Sequence, residues 1–338
     1  MIMKTICICG GGSLAHVIAG FLSAKGKVKV NVLTRKPEQW CKNLEIFTCE
    51  HTTLYGKVKT VSKDPHEVIP NSDIILLCLP GFAIKEVLLQ IKPFLKSYIF
   101  VGSVFSSSGF FFEAMNVLDK NIPLWGFQRV PFIARVIDYG HKAHLLGYKD
   151  SYNIAVENVS NIEKETFRKY IEYIFARPTH LLNNYLEASI TNSNPLLHTA
   201  RLYSMFHNYE QGIYYSHNLK FYAEWTNEAS DILISMDNEL FKLLEKLPVD
   251  RNYLTPILTH YDSYDANSLT RKIQSIESFK TIYAPMKETP NGWIPEFNSR
   301  YFQEDFAFGL KYIYLKAKEY NIQTPTIDKV YHWSKKWL

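Results

Sequence analysis

The hydrophobic rhythm of the chain changes about half-way along it. Up to about residue 180, short apolar runs alternate with segments patterned as amphipathic helices, as a parallel sheet with crossover helices requires. The runs predict strands at 5–9, 28–33, 73–79, 98–102, 124–127 and 144–148. From Tyr185 onward, apolar residues recur at helical spacing with charged stretches between them. The clearest of these segments are 229–247, which ends before Pro248, and 305–320, which stops near Asn321 ahead of Thr324 and Pro325. The Ala176-Arg177-Pro178-Thr179 stretch is the best boundary between the two rhythms, giving domains 1–178 and 179–338. The expected fold is an α/β N-terminal domain with a mostly parallel, doubly wound sheet, followed by a helical C-terminal domain. A length of 338 residues agrees with two domains, or with one that carries insertions.

The first strand opens directly into Gly10-Gly11-Gly12-Ser13-Leu14-Ala15, which reads G-x-G-x-x-A. Leu14, Val17, Ile18, Phe21 and Leu22 then line one face of a helix closed by Gly26, and the alternating run 28–32 follows. A glycine triplet alone is a weak signal. Between a strand, an amphipathic helix and a second strand it predicts the phosphate-binding turn of a dinucleotide site, formed by Gly10, Gly12, Ser13, Leu14 and Ala15. The alternative is a purely structural turn. At the end of the second strand, where an NAD-selective protein places a carboxylate, stand Thr34, Arg35 and Lys36. Two cations suit a 2′-phosphate, so NADP is expected over NAD, unless they are merely a solvated loop pair. The buried strand at 73–79 delivers Leu79 and Pro80 to the same carboxyl edge of the sheet, where they are expected to touch the cofactor.

The net charge of +5 is too small to argue for nucleic acid, but it suits a small anionic ligand. The five cysteines contain no C-x-x-C pair and are read as reduced and buried, with no metal or redox role. Met1-Ile2-Met3-Lys4 leads into the first strand without the pattern of a secretory signal, and the apolar run 74–79 is broken by Pro80 far short of a membrane span. A soluble, cytoplasmic protein with small-molecule substrates is therefore expected, without a membrane or nucleic-acid partner; a homodimer is left open.

Reduction of a carbonyl or imine by a nicotinamide needs a proton donor, a group that orients it, and a cation for the substrate carboxylate. In Asn192-Ser193-Asn194-Pro195-Leu196-Leu197-His198, the polar Asn194 and His198 fall one helical turn apart in an apolar stretch, with Asn194 as helix cap or Pro195 as kink. The plain alternative is a satisfied, partly buried histidine. In Arg300-Tyr301-Phe302-Gln303-Glu304-Asp305, Asp305 is a candidate partner for the histidine and Arg300 a candidate carboxylate anchor. The plain alternative there is compensation of a helix dipole and a surface salt bridge. Arg129 and Arg135 either reach substrate or cofactor phosphates or form structural ion pairs.

Together these segments resemble the octopine/nopaline (opine) dehydrogenase family, along nearly the whole chain. The most specific pieces are GGGSLA, LCLPGFA, GFQRVPFIARV, NSNPLLH, RYFQEDFAFG and QTPTID. The resemblance implies a Rossmann domain joined to an all-α domain of the 6-phosphogluconate-dehydrogenase C-terminal-like type. It further implies reversible, NAD(P)H-dependent reductive condensation of a 2-keto acid such as pyruvate with the amino group of an amino acid, by way of an imine. On this reading the catalytic histidine is His198, its dyad aspartate is Asp305, and the substrate contacts are Arg300 and Asn194. The loop 103–109 is richer in serine than the family pattern, and 188–193 is more polar than a plain core helix. The rival readings are a simple 2-keto acid or ketopantoate-type reductase and a catalytically silent nucleotide sensor. With the glycine turn at one end and the histidine and aspartate in the other half, neither half is expected to act alone.

Overall fold

The computed structural model describes residues 3–338; Met1 and Ile2, which open the N-terminal stretch considered above, lie outside the described residues. The chain divides into two compact units, one ending at Ser189 and the other spanning Ile190–Leu338.

The first unit carries strands β1 (Thr5–Cys9), β2 (Lys29–Leu33), β3 (Asn43–Thr48), β4 (Thr53–Lys57), β5 (Thr60–Ser62), β6 (Ile74–Leu77), β7 (Phe100–Ser103), β8 (Leu124–Phe127), β9 (Phe132–Asp138), β10 (Lys142–Tyr148), β11 (Tyr152–Glu157) and β12 (Thr179–Leu181). Its helices are α1 (Ser13–Ala24), α2 (Pro65–Val68), α3 (Gly81–Ile91), α4 (Phe110–Val117), α5 (Asn161–Phe175) and α6 (Tyr185–Ile190), whose last residue opens the second unit. Eight strands form one sheet in the order β12-β11-β8-β7-β6-β1-β2-β5, parallel throughout except where β11 meets β8. β1 and β6 are buried along their whole length, which explains why they are apolar apart from Thr5: both faces of a parallel sheet are covered. Because β1 sits between β2 and β6, the strand order reverses beside it, and the carboxyl ends of β1 and β6 flank that switch point.

A second, four-stranded sheet, β4-β3-β10-β9, packs against α1. The run at 144–148 belongs to this sheet as part of β10 and not to the main one. Along β9, Phe132 and Ala134 are buried while Ile133 and Arg135 are exposed, the alternation of a sheet with one wet face.

The first unit runs past the 176–179 boundary expected from the change of hydrophobic rhythm. Thr179–Leu181 pairs in parallel with β11, and the N–H of Tyr152 donates to the Pro178 carbonyl at 2.8 Å. Edge-strand pairing therefore outweighs the local turn signal of Arg177-Pro178, and the division falls after Ser189. None of the five cysteines is paired; Cys7 and Cys9 are buried as expected, whereas Cys41 and Cys78 are half-buried and Cys49 is exposed.

The second unit is built on α7 (Asn194–Phe206), α8 (Asn227–Leu244), α9 (Ile257–His260), α10 (Ala266–Ser275), α11 (Lys311–Glu319) and α12 (Pro325–Ser334). A small hairpin, β13 (Met286–Thr289) and β14 (Gly292–Pro295), interrupts the helices. The helix expected over 305–320 is instead two segments. Tyr301–Leu310 winds in wide π-type turns, with the Lys311 N–H reaching back to the Phe306 carbonyl, and only then does α11 begin. Buried carboxylates on α8 hold the later helices: Glu239 accepts the N–H groups of Thr326 and Ile327, and Asp237 accepts that of Ile257. No helix among the described residues is long and apolar enough to cross a membrane.

Candidate active site

The glycine turn is held open by its backbone. Gly10 sits at φ +137°, and a Cβ there would lie 2.5 Å from the Cys78 carbonyl oxygen, so a side chain is excluded where the turn passes the end of β6. Gly12 precedes α1, which starts with neither a capping side chain nor an acidic residue in its first turn. The first N–H groups of α1 thus have no partner inside the helix, and the helix dipole adds partial positive charge, which suits a phosphate. Space around Gly12 is open: a Cβ there would meet nothing within 4 Å. The Ser13 hydroxyl accepts the Val136 N–H at 3.1 Å, tying this turn to β9.

His16 locks the turn from beneath. Its Nδ1 lies 2.9 Å from the Gly12 carbonyl oxygen, and the Gly140 N–H donates to its Nε2 at 2.7 Å. Burial pushes the ring below the ordinary histidine range, opposed by the bond to Gly12. A neutral ring that donates from Nδ1 and accepts at Nε2 satisfies both contacts.

Thr34 is buried at the end of β2, where its N–H donates to the Ser62 carbonyl, and Arg35 and Lys36 are exposed just beyond it. Leu79 and Pro80 are half-buried between β6 and the start of α3. These residues fit a dinucleotide: an uncapped helix start, an open glycine cradle and two solvent-facing cations at the β2 end. Arg129 follows β8 and is half-buried, with burial lowering its pKa, and Arg135 is exposed on β9, where it donates to the Ala134 carbonyl.

A hydrogen-bonded cluster around His198 is assembled in the helical unit. Pro195 stands in the first turn of α7, where its missing N–H costs nothing, and Ser193 occupies the cap position predicted for Asn194. The cap itself is local: the Asn192 side-chain oxygen accepts the Asn194 N–H at 3.2 Å. Asn194 is exposed, and one turn later His198 is nearly buried, its side chain 17% exposed. The His198 Nδ1 lies 2.9 Å from the Asp305 carboxylate, and its Nε2 lies 3.1 Å from the Tyr222 hydroxyl. A carboxylate oxygen accepts this bond, so Nδ1 is its donor, and in a neutral ring the lone pair is then on Nε2. The Tyr301 ring meets the imidazole edge-on at 5.0 Å and stacks on Phe221. Arg300 is exposed immediately before the π-type segment.

The His198–Asp305 distance depends on a close helix approach. A Cβ on Gly309 would lie 2.8 Å from the Pro195 ring, so only glycine lets the 301–310 segment reach the first turn of α7. Gly309→Ala is expected to push these segments apart, to lower kcat about tenfold and to cost about 1–3 kcal/mol of stability, as overpacking does. Parallel melting and turnover measurements check this, and wild-type values for both would contradict it.

The structure thus brings together His198 and Asp305, which sequence reasoning paired, and adds Tyr222 and Gly309, which it missed. Only the glycine in Phe308-Gly309-Leu310, inside a helical pattern, was a usable signal, because an interior glycine often marks close packing.

Comparison with known proteins agrees with this fold. Residues 181–338 match the model described as NAD/NADP octopine/nopaline dehydrogenase, alpha-helical domain, and residues 5–103 match that described as NADP oxidoreductase coenzyme F420-dependent. The chain is 29% identical over 365 residues to the tauropine dehydrogenase of Arabella iricolor, covering 99% of this chain and 92% of that one. The helical unit of this chain is thus similar to that of the octopine/nopaline dehydrogenases. The opine dehydrogenase of Haliotis discus hannai is 24% identical over 372 residues, covering 99% of this chain and 90% of its own. A solved octopine dehydrogenase with NADH and L-arginine shares the fold at a TM-score of 0.85 and 22% identity, over 99% of this chain and 89% of that one. The opine dehydrogenase architecture, a Rossmann-like unit followed by a helical one, is the architecture described above.

Proposed function

We propose that this protein is a nicotinamide-dependent opine dehydrogenase, which condenses a 2-keto acid with the amino group of an amino acid and reduces the imine, reversibly. The observation that carries this reading is the imidazole of His198 bonded to Asp305 within the unit that matches the family's helical domain. A chain that had kept only nucleotide sensing would have no need of that pair.

His198 is assigned the proton work. In the condensing direction the amine adds to the keto carbon, and the oxygen leaves as water with a proton that the His198 imidazolium supplies. In the reverse direction, neutral Nε2 takes the proton back. Asp305 fixes the ring and stabilises its protonated form. Arg300 is assigned to a substrate carboxylate, which its planar fork matches bidentately, and Asn194 to a hydrogen bond with substrate. The nicotinamide, when bound, supplies the hydride to the imine carbon.

The cofactor is assigned to Gly10, Gly12, Ser13, Leu14 and Ala15 at the phosphates, with Leu79 and Pro80 beside them at the end of β6. Thr34, Arg35 and Lys36 are assigned to the adenosine ribose. NADP is favoured over NAD because cations, and no carboxylate, stand at the end of β2. Five unpaired cysteines fit a reducing compartment such as the cytoplasm.

The test is to follow NADPH oxidation with pyruvate alone and then with a panel of amino acids added. Turnover that requires both partners is expected. Equal turnover with pyruvate alone would make the protein a simple keto acid reductase.

A further inference from the structure

Asp305 accounts for only one of the two ring nitrogens of His198; the other is taken by a residue from a different segment of the same unit. We infer that Tyr222 is a second positioning residue for His198, bonded to Nε2 until a substrate oxygen takes its place there for proton transfer, and that Arg201 keeps Tyr222 in place. This inference rests on the assignment of His198 as the acid/base group.

Three observations carry it. First, the Tyr222 hydroxyl lies 3.1 Å from Nε2 while Asp305 holds Nδ1, so the ring is clamped at both ends and cannot flip. Second, Tyr222 is 5% exposed and stacks on Phe279 at 4.2 Å, with its ring parallel to that of Trp225, so its own orientation is fixed. Third, Arg201 stands three residues after His198 on α7 and clamps the segment that carries Tyr222. Its guanidinium donates to the carbonyls of Phe221 at 2.7 Å, Lys220 at 3.3 Å and Glu224 at 2.6 Å. Burial lowers the Arg201 pKa to about 10, with the Glu224 charge opposing, so it stays charged at neutral pH. A buried cation spent on three backbone carbonyls of one short segment is costly unless that segment must not move. One helix therefore provides both the histidine and the clamp for its partner.

The chemistry suits a group that must serve two states. A hydroxyl both donates and accepts. It gives its proton to the Nε2 lone pair of the neutral ring and accepts Nε2–H from the imidazolium, the second bond being the stronger because it is charge-assisted. Burial, followed by Tyr301, Tyr261 and Asp305, pushes the Tyr222 hydroxyl far above the ordinary tyrosine range, so it keeps its proton. The titratable and charged groups around the ring are Asp305 and Tyr301 from the 301–310 segment and Tyr222 with Tyr261 behind it. Arg201 lies on α7 itself, with Glu224 beside it.

The test is Tyr222→Phe, which keeps the ring stack and removes the hydroxyl, assayed with full pH profiles. We expect kcat to fall about three- to tenfold, as loss of one such hydrogen bond implies. The KM for the keto acid should stay within about twofold. Because the protonated ring loses its acceptor, the alkaline limb of the reduction profile should move to lower pH by roughly half to one unit. A rate lowered equally at every pH, with the limb fixed, would overturn the inference. Should the variant not fold, the wild-type protein with 15N-labelled histidine provides the second reading, the His198 signals being those lost in His198→Ala. Nδ1 protonated and Nε2 hydrogen-bonded at neutral pH supports the clamp, and the opposite tautomer overturns it. A His198→Ala variant that kept its turnover would instead remove the assignment beneath, and this inference with it. Loss of turnover in His198→Ala beside an unmoved limb in Tyr222→Phe would sink Tyr222 alone.

Discussion

His198→Ala is expected to lower kcat by about 10²–10⁴, the usual contribution of a positioned acid/base group, while leaving NADPH affinity within about twofold. The expectation follows from the division of labour in the fold. The imidazole lies in the helical unit, bonded to Asp305 and Tyr222, whereas the residues assigned to the cofactor phosphates lie in the turn between β1 and α1. Truncation removes the imidazole and leaves Asp305 without its histidine partner, whereas the glycine turn belongs to the other unit. Steady-state kinetics in both directions and fluorescence titration of NADPH check the two halves of the statement. A variant with turnover near that of the wild type would refute the assignment. Loss of cofactor binding in step with turnover would mean that His198 supports the fold and not the chemistry.

Arg35→Asp is expected to change the ratio of kcat/KM for NADPH over NADH by about 10²–10³ in favour of NADH. A charge-assisted hydrogen bond to a phosphate is worth about 1.5–3 kcal/mol. The new carboxylate adds repulsion against the 2′-phosphate and an acceptor for the ribose hydroxyls. Thr34 is buried and its backbone is bonded to β5, so the end of β2 is a fixed platform and the exposed Arg35 side chain can change without disturbing it. An unchanged ratio would take Arg35 out of the site.

The Rossmann core was legible because its physics is local. β1 after Thr5 and all of β6 are apolar, as strands buried on both faces tend to be, and the glycine turn between β1 and α1 has a backbone that only glycine tolerates at Gly10. The His198–Asp305 pair spans 107 residues, and periodicity cannot join residues so far apart; residue chemistry offered Asp305 only as one candidate beside a plain salt bridge, and the resemblance to a family singled it out. Tyr222 was harder still. It is one of 22 tyrosines, its segment lacks helical or strand pattern, and its clamp is an arginine buried among backbone carbonyls that no sequence pattern reveals. The π-type turns of 301–310 escaped notice because apolar spacing does not separate i→i+5 from i→i+4 bonding over so short a run. The second sheet was missed for a different reason. Its β9 alternates like any half-exposed strand, and the pairing of β10 with β3 depends on residues about one hundred positions apart.

The central claim is that hydride reaches the carbon of an imine formed between two substrates. It is tested most directly by mass spectrometry of the product made from pyruvate, an amino acid labelled with 15N and NADPH carrying deuterium at the transferable position. The account predicts a single secondary amine that contains both carbon skeletons, the 15N atom and one deuterium on the carbon that was the keto carbon. Deuterium recovered in a 2-hydroxy acid, with the labelled amino acid unchanged, would contradict it.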